Sequence, residues 1–321
     1  MFTKIPTVLR SQELINKAFL KASKITEPYH PKIEDKIRKE IIDRISTIES
    51  ITRGHLLKLV RKFPTIEKLH PFYEDMIDLM FDVDQYKVSL SKAQWAAERI
   101  EALSTNVIQK LKKARKVEHL TALMREYYGR YSSIVNSIDK DLKFLGRCRD
   151  WIRQIPDIDP EMPTFIIAGM PNVGKSSLLS KLTGNIPKVA PYPFTTQSIS
   201  IGFMQLANRK VQVIDTPGIL DRPMDERNEM ERKSILSLKD IKGTIIFLID
   251  PTGHSSYSLE QQESLFKEIK ERMRPVIIRV QTKSDLTEER TEKIAVSTET
   301  LDGFDTLKEE MEKFVAPKVP A

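Results

Sequence analysis

The sequence contains few of the residues and segments that cross-link, anchor or export a protein. It has a single cysteine, Cys148, which excludes an internal disulfide and a metal site built from several cysteines. No apolar run approaches the roughly 18 residues that a membrane-spanning helix requires. The first residues carry no long apolar segment followed by a small-residue cleavage site, so we expect no secretory signal. These absences are typical of a protein of a reducing, cytoplasmic compartment with no membrane partner.

The positive charge of the chain is concentrated in its first half. The 321 residues carry a formal net charge of +7, and their length suggests roughly two domains. Residues 1–160 contain 30 Lys and Arg against 22 Asp and Glu, whereas residues 161–321 contain 22 against 23. Two interpretations stay open: the excess forms ordinary solvated helix faces, or it forms a surface that binds a polyanion, for which RNA is the favoured partner.

Residues 1–155 have the apolar spacing of an α-helical bundle. Isoleucines recur at three- and four-residue steps from Ile33 to Ile51, and a second apolar stripe runs from Leu90 through Trp95 to Leu111. We predict helices near residues 11–26, 32–62, 72–82, 85–116, 118–136 and 139–154. Three prolines between residues 156 and 163 end this region, so 156–163 is predicted to be a linker.

Residues 164–321 alternate between strand and helix patterns. Apolar strand segments are predicted near 164–168, 199–206, 211–214, 244–249, 276–280 and 294–296, with helices near 175–182, 228–238, 259–272 and 306–314 between most of them. This alternation predicts an α/β domain with a mostly parallel sheet and helices on both faces. Asn208-Arg209 joins two strands without a helix and predicts one antiparallel hairpin.

A phosphate-binding loop follows the first strand of this second domain. It matches G-x-x-x-x-G-K-[ST] and consists of Gly169, Met170, Pro171, Asn172, Val173, Gly174, Lys175 and Ser176, with Ser177 next in the predicted helix. Glycines let the backbone turn its N–H groups inward to the phosphates, and the helix N-terminus adds partial positive charge. Lys175 is predicted to reach the β- and γ-phosphates and Ser176 to bind Mg²⁺.

Two more motifs follow later strands, as a guanine-nucleotide site requires. The first is Asp215, Thr216, Pro217 and Gly218, in which Asp215 would assist Mg²⁺ binding and the Gly218 N–H would contact the γ-phosphate. The second is Thr282, Lys283, Ser284 and Asp285. The Asp285 carboxylate can accept two hydrogen bonds from guanine, whereas adenine offers no such pair of donors. Ser297 and Thr298, after the last strand, could offer backbone N–H groups to the guanine oxygen.

A threonine-containing segment between the loop helix and the second strand is predicted to be a switch. It includes Pro193, Phe194, Thr195 and Thr196. A threonine here can complete the Mg²⁺ shell only when the γ-phosphate is present, so the segment would order and disorder with the nucleotide. Thr196 is preferred to Thr195 for this role.

In this order the motifs resemble the translation-factor-related GTPases of the Obg superfamily. Asp221-Arg222-Pro223, with Glu226-Arg227-Asn228 and Glu231, is similar to the nucleolar GTP-binding protein branch, known as Nog, in its short archaeal form. The resemblance implies a role in maturing the large ribosomal subunit. It implies that the subunit or its precursor, both RNA and protein, is the partner; nothing indicates an obligate oligomer. Intrinsic GTP hydrolysis is expected to be slow, because Ile219 cannot hydrogen-bond a water.

Three positions depart from the usual GTPase pattern. Thr282 stands where the base-reading motif usually begins with Asn, and Ser297-Thr298-Glu299 only partly resembles the last motif. Ile219 stands where Ras-like proteins carry a water-orienting glutamine, as is typical of the Obg superfamily. Asn172 resembles the asparagine that binds an activating K⁺ in some relatives, and a simple turn role is the alternative.

The leading hypothesis is a GTP-hydrolysing switch whose catalytic residues include Lys175, Asn172, Thr196 and Gly218. The alternatives are an RNA-binding assembly scaffold with little turnover and an Obg-like stress-responsive regulator. For RNA we expect the surface to include Lys112, Arg115 and Lys116. Arg125 and Arg130, interleaved with Tyr127, Tyr128 and Tyr131, and the group Arg147, Arg149 and Arg153 could extend it. The open alternative is that these tyrosines are core residues.

Overall fold

The computed structural model describes residues 4–28, 31–184, 187–192, 198–216, 218, 220–222, 225, 227–241 and 243–315. The chain divides into two compact units. The first consists of Met1–Thr65 and Phe81–Arg153, and the second of Ile66–Met80 and Gln154–Ala321. Residues 66–80, which are predicted from sequence to belong to the N-terminal helical domain of residues 1–155, belong to the second unit in the structure.

The described residues of the first unit form five helices: α1 (Ser11–Ala22), α2 (Ile33–Lys62), α4 (Val83–Lys113), α5 (Val117–Ser137) and α6 (Asp139–Ile152). Helices α2 and α4 have 30 and 31 residues and pack along each other. The buried face of α4 is rich in small residues, including Ala93, Ala96 and Ala97, which allow a neighbouring helix to approach closely. The predicted helical bundle is confirmed.

The two predicted stripes are only partly buried. On α2, Ile41, Ile45 and Ile48 are buried, but Ile33 in its first turn is 62% exposed. On α4, Trp95 is 44% exposed, and the Arg99 guanidinium lies 5.9 Å from its ring centroid. The buried face of α4 includes Ile100, Val107 and Leu111 of the predicted stripe, together with alanines and serines that a search for large apolar side chains does not detect.

The second unit contains a seven-stranded sheet in the order β2-β3-β4-β1-β5-β6-β7. Its strands are β1 (Thr164–Ala168), β2 (Lys188–Pro191), β3 (Ser198–Leu206), β4 (Arg209–Asp215), β5 (Gly243–Ile249), β6 (Val276–Gln281) and β7 (Ile294–Ala295). The pairs β4–β1, β1–β5, β5–β6 and β6–β7 are parallel, and the pairs β2–β3 and β3–β4 are antiparallel. The predicted α/β class with a mostly parallel sheet is therefore confirmed.

The hairpin between β3 and β4 turns one residue earlier than predicted. Ala207 and Asn208 both have positive φ, 48° and 59°, and β4 already begins at Arg209. Two successive positive φ values match the twist of a two-residue hairpin. The short edge strand β2 was not predicted, because its four residues include Pro191 and lack an apolar run.

Five helices belong to the second unit: α3 (Pro71–Met80), α7 (Lys175–Thr183), α8 (Glu229–Leu236), α9 (Leu259–Met273) and α10 (Phe304–Val315). Helix α3 packs against α8 and the 3₁₀ turn Ser237–Asp240. Its buried side chains are Phe72, Tyr73, Met76 and Ile77, and the Tyr73 hydroxyl donates to the Ile158 carbonyl. This packing explains why 66–80 group with the sheet rather than with the other N-terminal helices.

Across the residues that the structure describes, none of the helices combines the length and the apolar character that crossing a bilayer would demand.

Candidate functional site

The predicted motifs meet at one edge of the sheet. The parallel strands β1, β4, β5 and β6 end beside one another, and their carboxyl ends lead into Gly169, Asp215, Asp250 and Thr282. Ligands of open α/β sheets bind at this edge, where loops from neighbouring strands converge. The structure thus brings the phosphate loop, the Asp215 motif and the Thr282 motif together.

The loop from Gly169 to Gly174 has a backbone that glycine makes possible. Gly169 has φ 140°, Asn172 has φ 62° and Gly174 has φ 99°. A Cβ at Gly169 would lie 2.8 Å from the Leu248 carbonyl oxygen and 3.2 Å from Val173 Cγ2, so a side chain does not fit. Among the described residues, the N–H groups of Asn172, Val173 and Gly174 have no backbone acceptor. They are available to an anion at the start of α7.

Lys175 is buried in this loop and is only 6% exposed. Its ammonium donates to the carbonyls of Gly169 and Met170, at 2.8 Å each. Burial lowers the pKa of Lys175, and the charges of Asp221 and Asp215 oppose that effect. A desolvated cation held at the mouth of an anion-binding loop is suited to attract phosphate.

Ser176 and Asp215 form a candidate Mg²⁺ site. The Ser176 hydroxyl donates to Asp215 Oδ2 at 2.6 Å, and Asp215 Oδ1 is buried without a hydrogen-bond partner among the described residues. Burial raises the pKa of Asp215, which the Ser176 hydrogen bond and the Lys175 charge counteract. Hydroxyl and carboxylate oxygens are the ligands that Mg²⁺ prefers, and an unpartnered buried oxygen is suited to a cation or its water. The residues present therefore fit Mg²⁺.

The backbone of Gly218 is held on both sides by charged groups. Its N–H donates to Asp221 Oδ2 at 2.6 Å, and its carbonyl accepts from Arg227 at 2.9 Å. Arg227 also lies 3.6 Å from the other Asp221 oxygen, and its side chain is 1% exposed. The sequence marked Asp221 and Arg227 only as part of a family pattern; their contact with Gly218 depends on how the turn folds, which no spacing rule shows.

The base-reading motif forms a turn directly after β6. The Thr282 N–H and hydroxyl both donate to the Ile249 carbonyl, at 2.8 and 3.3 Å. Lys283 has φ 55° and its ammonium donates to Asp250 at 2.7 Å. Asp285 is exposed, and none of the described residues hydrogen-bonds to its carboxylate. Its oxygens are available to a ligand.

Ser297 builds the loop after β7. Its hydroxyl accepts from the N–H groups of Glu299 and Thr300, at 3.2 and 3.1 Å, while its own N–H donates to the Asp302 carbonyl. The Thr298 N–H has no backbone acceptor among the described residues. Of the two residues predicted here, Thr298 is therefore the better placed to offer its backbone to a base.

Several predicted site residues lie outside the described part of the chain. They are Phe194, Thr195, Thr196 and Pro217, together with Pro193 and Ile219. Tyr192, directly before the predicted switch, is buried, and its hydroxyl donates to the Ser234 carbonyl of α8 at 2.8 Å. The remaining members of the phosphate-loop prediction, Pro171 and Ser177, lie at the loop surface and on α7.

Two protein families match successive parts of the chain. Residues 2–159 match the family described as NOG1 N-terminal helical domain, and residues 164–283 match the family described as 50S ribosome-binding GTPase. The uncharacterized protein MJ1408 of Methanocaldococcus jannaschii is 35% identical over 291 residues, covering 90% of this chain and 82% of that protein. Nucleolar GTP-binding protein 1 of Encephalitozoon cuniculi is 34% identical over 287 residues. This chain belongs to the nucleolar GTP-binding protein family, Nog.

The Nog relatives named nucleolar GTP-binding protein 1 are longer than this chain. The match covers 89% of the chain but 54% of the Encephalitozoon cuniculi protein. For the Arabidopsis thaliana protein, at 33% identity, the shares are 78% and 38%. Membership of the Nog family means a GTPase-type domain that binds guanine nucleotide, typically with Mg²⁺. For this chain, the activity and the partners of those longer proteins are therefore proposals.

Proposed function

We propose that this Nog protein binds GTP with Mg²⁺, hydrolyses it slowly, and uses the nucleotide as a switch in assembling the large ribosomal subunit. The observation that carries the nucleotide part is the convergence, at one sheet edge, of the buried Lys175 ammonium, the Ser176–Asp215 pair and the exposed Asp285 carboxylate. These are a phosphate-binding cation, a Mg²⁺ site and an acceptor for the guanine edge.

Each residue has a distinct proposed role. The N–H groups from Asn172 to Gly174 hold the phosphate oxygens, and Lys175 exchanges its two carbonyl partners for the β- and γ-phosphates. Ser176 and Asp215 would hold Mg²⁺, which would supply neutralisation of the phosphate charge. The further proposed contacts are Thr196 to Mg²⁺, Gly218 N–H to the γ-phosphate, Asp285 to the N1 and N2 edge of guanine, and Thr298 N–H to its oxygen.

Turnover is proposed to be slow without an activator. Ile219 has no polar side-chain atom with which to orient the attacking water. Even Ras, which has a glutamine for this purpose, turns over at only ~10⁻⁴ s⁻¹ unaided. Asn172 is exposed in the phosphate loop and remains our candidate K⁺ ligand. If it holds K⁺, replacing Na⁺ by K⁺ raises the hydrolysis rate; equal rates in both salts would leave Asn172 as a turn residue.

Single-turnover hydrolysis tests the nucleotide proposal. We expect GTP, but not ATP, to bind and to be hydrolysed, and we expect Lys175→Ala to abolish tight triphosphate binding. Lys181→Ala is the matched control, since Lys181 is an exposed lysine on the same helix, α7. Unchanged GTP affinity in Lys175→Ala would contradict the proposed phosphate site. Binding without turnover, even with large subunits present, would favour the scaffold alternative, and strong competition by guanosine tetraphosphate would favour a stress regulator.

The ribosomal part of the proposal is supported by the corner between α4 and α5. Five cationic side chains there are exposed and have no ion pair among the described residues: Lys110, Lys112, Lys113, Arg115 and Lys116. Nearby, the guanidinium of Arg38 donates to the Ala114 carbonyl at 2.9 Å. Unpaired surface cations are suited to neutralise RNA phosphates.

The predicted base stacking does not hold for two of its three tyrosines, whereas Tyr128 is half-buried. Tyr127 and Tyr131 are fully buried, and their hydroxyls are hydrogen-bonded to Ser104 and Thr52 at 3.0 and 2.8 Å. Burial raises the pKa of Tyr131 to about 12. Both tyrosines are core residues, as the alternative interpretation held, so base stacking on them is not available. The α4–α5 corner thus carries the RNA proposal by charge alone.

A further inference from the structure

The carboxylate of Asp221 occupies a hydrogen-bonding position that the proposed function assigns to the γ-phosphate. Asp221 Oδ2 accepts from the Gly218 N–H at 2.6 Å, a short contact with a charged acceptor. Gly218 has φ 70°, so its N–H is presented by a turn that glycine adopts readily. An N–H group that already donates to one anion has to release it before it can donate to another.

The cations near the Asp221 carboxylate are ones that would also attract a bound γ-phosphate. Arg227 lies 3.6 Å from its Oδ1 and is buried, and the Asp221 charge acts on the buried Lys175 ammonium. Lys175 itself donates to two carbonyls of the phosphate loop. The Asp221 carboxylate therefore hydrogen-bonds to the Gly218 N–H and is attracted by the Lys175 ammonium, the two groups predicted to contact the γ-phosphate.

We propose that Asp221 is an internal substitute for the γ-phosphate and sets the preference of the site between GDP and GTP. The inference rests on the proposed function, because it requires a guanine nucleotide at the phosphate loop. With GDP bound, Asp221 keeps the Gly218 N–H. With GTP bound, the γ-phosphate takes that N–H and the two anions repel each other, so Asp221 moves away. Its charge thus lowers the affinity for GTP and leaves that for GDP unchanged.

Arg227 connects this exchange to the helix that follows. It donates to the Gly218 carbonyl at 2.9 Å and directly precedes Asn228, the N-cap of α8. The Asn228 side chain accepts from the Glu231 N–H at 2.8 Å, and the Glu231 carboxylate accepts from the Asn228 N–H at 3.1 Å. Because this capping box fixes the first turn of α8, displacement of Asp221 from Gly218 reaches the start of that helix through Arg227.

The test compares the affinities of the full-length wild-type protein and its Asp221→Asn variant for GDP and a non-hydrolysable GTP analogue. The variant keeps a neutral acceptor for Gly218 but removes the charge. We expect the GDP affinity to stay within about twofold and the analogue affinity to rise about tenfold, the difference between a charged and a neutral hydrogen bond. Asp225→Asn is the matched control: it removes one charge from the same loop, but its partner is Arg272, at 3.2 Å. Its affinity ratio should match that of wild type.

An unchanged ratio of the two affinities in folded Asp221→Asn overturns the inference while leaving the GTPase proposal intact. If the wild-type protein binds neither nucleotide, the proposed function fails and the inference fails with it. Asp221→Ser, a smaller neutral acceptor, is the second variant and should shift the ratio in the same direction.

If neither variant folds, NMR spectra of the wild-type protein labelled with ¹⁵N-glycine test the inference. The protein has 11 glycines, so the spectrum is simple. The Gly218 amide signal should move with the analogue and not with GDP, whereas that of Gly174 should move with both. A Gly218 signal that both nucleotides move alike would overturn the inference.

Discussion

At the scale of single residues, Asp285 lies in a turn whose backbone is fixed by hydrogen bonds on both sides of it. The Leu286 N–H donates to the Lys283 carbonyl at 3.0 Å, and the Ser284 N–H donates to the Val296 carbonyl at 3.2 Å. Lys283 is already paired with Asp250. The Asp285 carboxylate is exposed and forms no ion pair with any of the described residues, so it is free to select a base by two hydrogen bonds.

Replacing Asp285 with Asn should change which base the site selects. Each charge-assisted hydrogen bond to guanine contributes about 1.5–3 kcal/mol. We expect Asp285→Asn to lose at least about tenfold in GTP affinity and to gain relative affinity for xanthosine triphosphate, whose base has an acceptor where guanine has its amino group. Competition binding measures both, with the exposed Asp305→Asn as control. Equal affinity of the wild-type protein for ATP and GTP would contradict the assignment.

His55 should make the first unit sensitive to mild acid. Its ring nitrogen accepts from the Leu9 N–H at 3.4 Å, and burial, assisted by the charges of Lys17 and Lys58, lowers its pKa from 6.5 to about 4. The unfolded chain binds a proton below about pH 6.5, but the folded chain does so only below about pH 4. Stability is therefore lost as the pH falls through this window.

Between pH 7.5 and pH 5 this loss is at most about 2 kcal/mol in the free energy of unfolding, because solvent screens the partly exposed ring. Urea unfolding of His55→Gln should lack this component, because glutamine does not titrate. The control is His119→Gln, at an exposed histidine of α5, which should keep it. The same pH dependence in wild type and His55→Gln would show that the acid sensitivity has another source.

The residues that could be predicted from sequence are those whose role depends on local backbone geometry. Gly169, Gly174 and Lys175 act through a loop of eight residues, and their spacing alone specifies how that loop meets the helix after it. The contact between Asp221 and Gly218 depends on the turn that Arg227 closes from nine residues away. The burial of Tyr127 depends on packing against other helices. Neither the Asp221–Gly218 contact nor the burial of Tyr127 produces a periodic pattern in the sequence.

At the scale of secondary-structure elements, α3 shows that an apolar sequence pattern predicts a helix but not the element against which it packs. Its apolar face predicted a helix near residues 72–82, and the structure has one at Pro71–Met80. The pattern indicates that one face is buried but not which neighbour covers it. In the structure that neighbour is α8 with its 3₁₀ turn, where the Ser234 hydroxyl lies 3.9 Å from Met76 Sδ. The same Ser234 carries the carbonyl that accepts from Tyr192.

Shortening Met76 should therefore destabilise the nucleotide-binding unit. Met76 is fully buried, and truncation of a buried methionine to alanine costs about 2–5 kcal/mol. GDP stabilises whichever unit binds it, so the thermal transition that GDP shifts belongs to the second unit. We expect Met76→Ala to lower the Tm of that transition. The exposed Asp78→Ala on the same helix is the control. A variant that changes only the GDP-insensitive transition would contradict the grouping of α3 with the sheet.

At the scale of the whole molecule, ion pairs determine which of the excess positive charges remain unneutralised at the surface. The excess of Lys and Arg lies in residues 1–160, but many of these side chains are neutralised within their own unit. Arg10 pairs with Asp139, Lys92 with Asp141 and Arg130 with Glu126. The exposed cations of the α4–α5 corner have no such partner among the described residues. The net charge of residues 1–160 left two interpretations open, and the five unpaired cations of this corner are the group on which we test the polyanion-binding one.

Reversing the charge of this corner should weaken binding to the large ribosomal subunit. Each cation that neutralises an RNA phosphate releases a counterion, so affinity falls with salt in proportion to the number of such contacts. For Lys112→Glu, Arg115→Glu and Lys116→Glu combined, we expect weaker co-sedimentation and a slope of log affinity against log salt that is shallower by about 2–3. GTP affinity should not change, because the nucleotide motifs all lie beyond residue 168.

The matched control reverses three exposed cations of the second unit, Lys267, Arg290 and Lys293, none of which has an ion pair among the described residues. It makes the same change in net charge, so a loss confined to the first triple variant separates a docking surface from general electrostatic attraction. Equal loss in both variants would indicate attraction without a defined site. Undiminished binding of the first variant would place the docking surface elsewhere, and the switches near Thr196 and Arg222 would be the next surface to test.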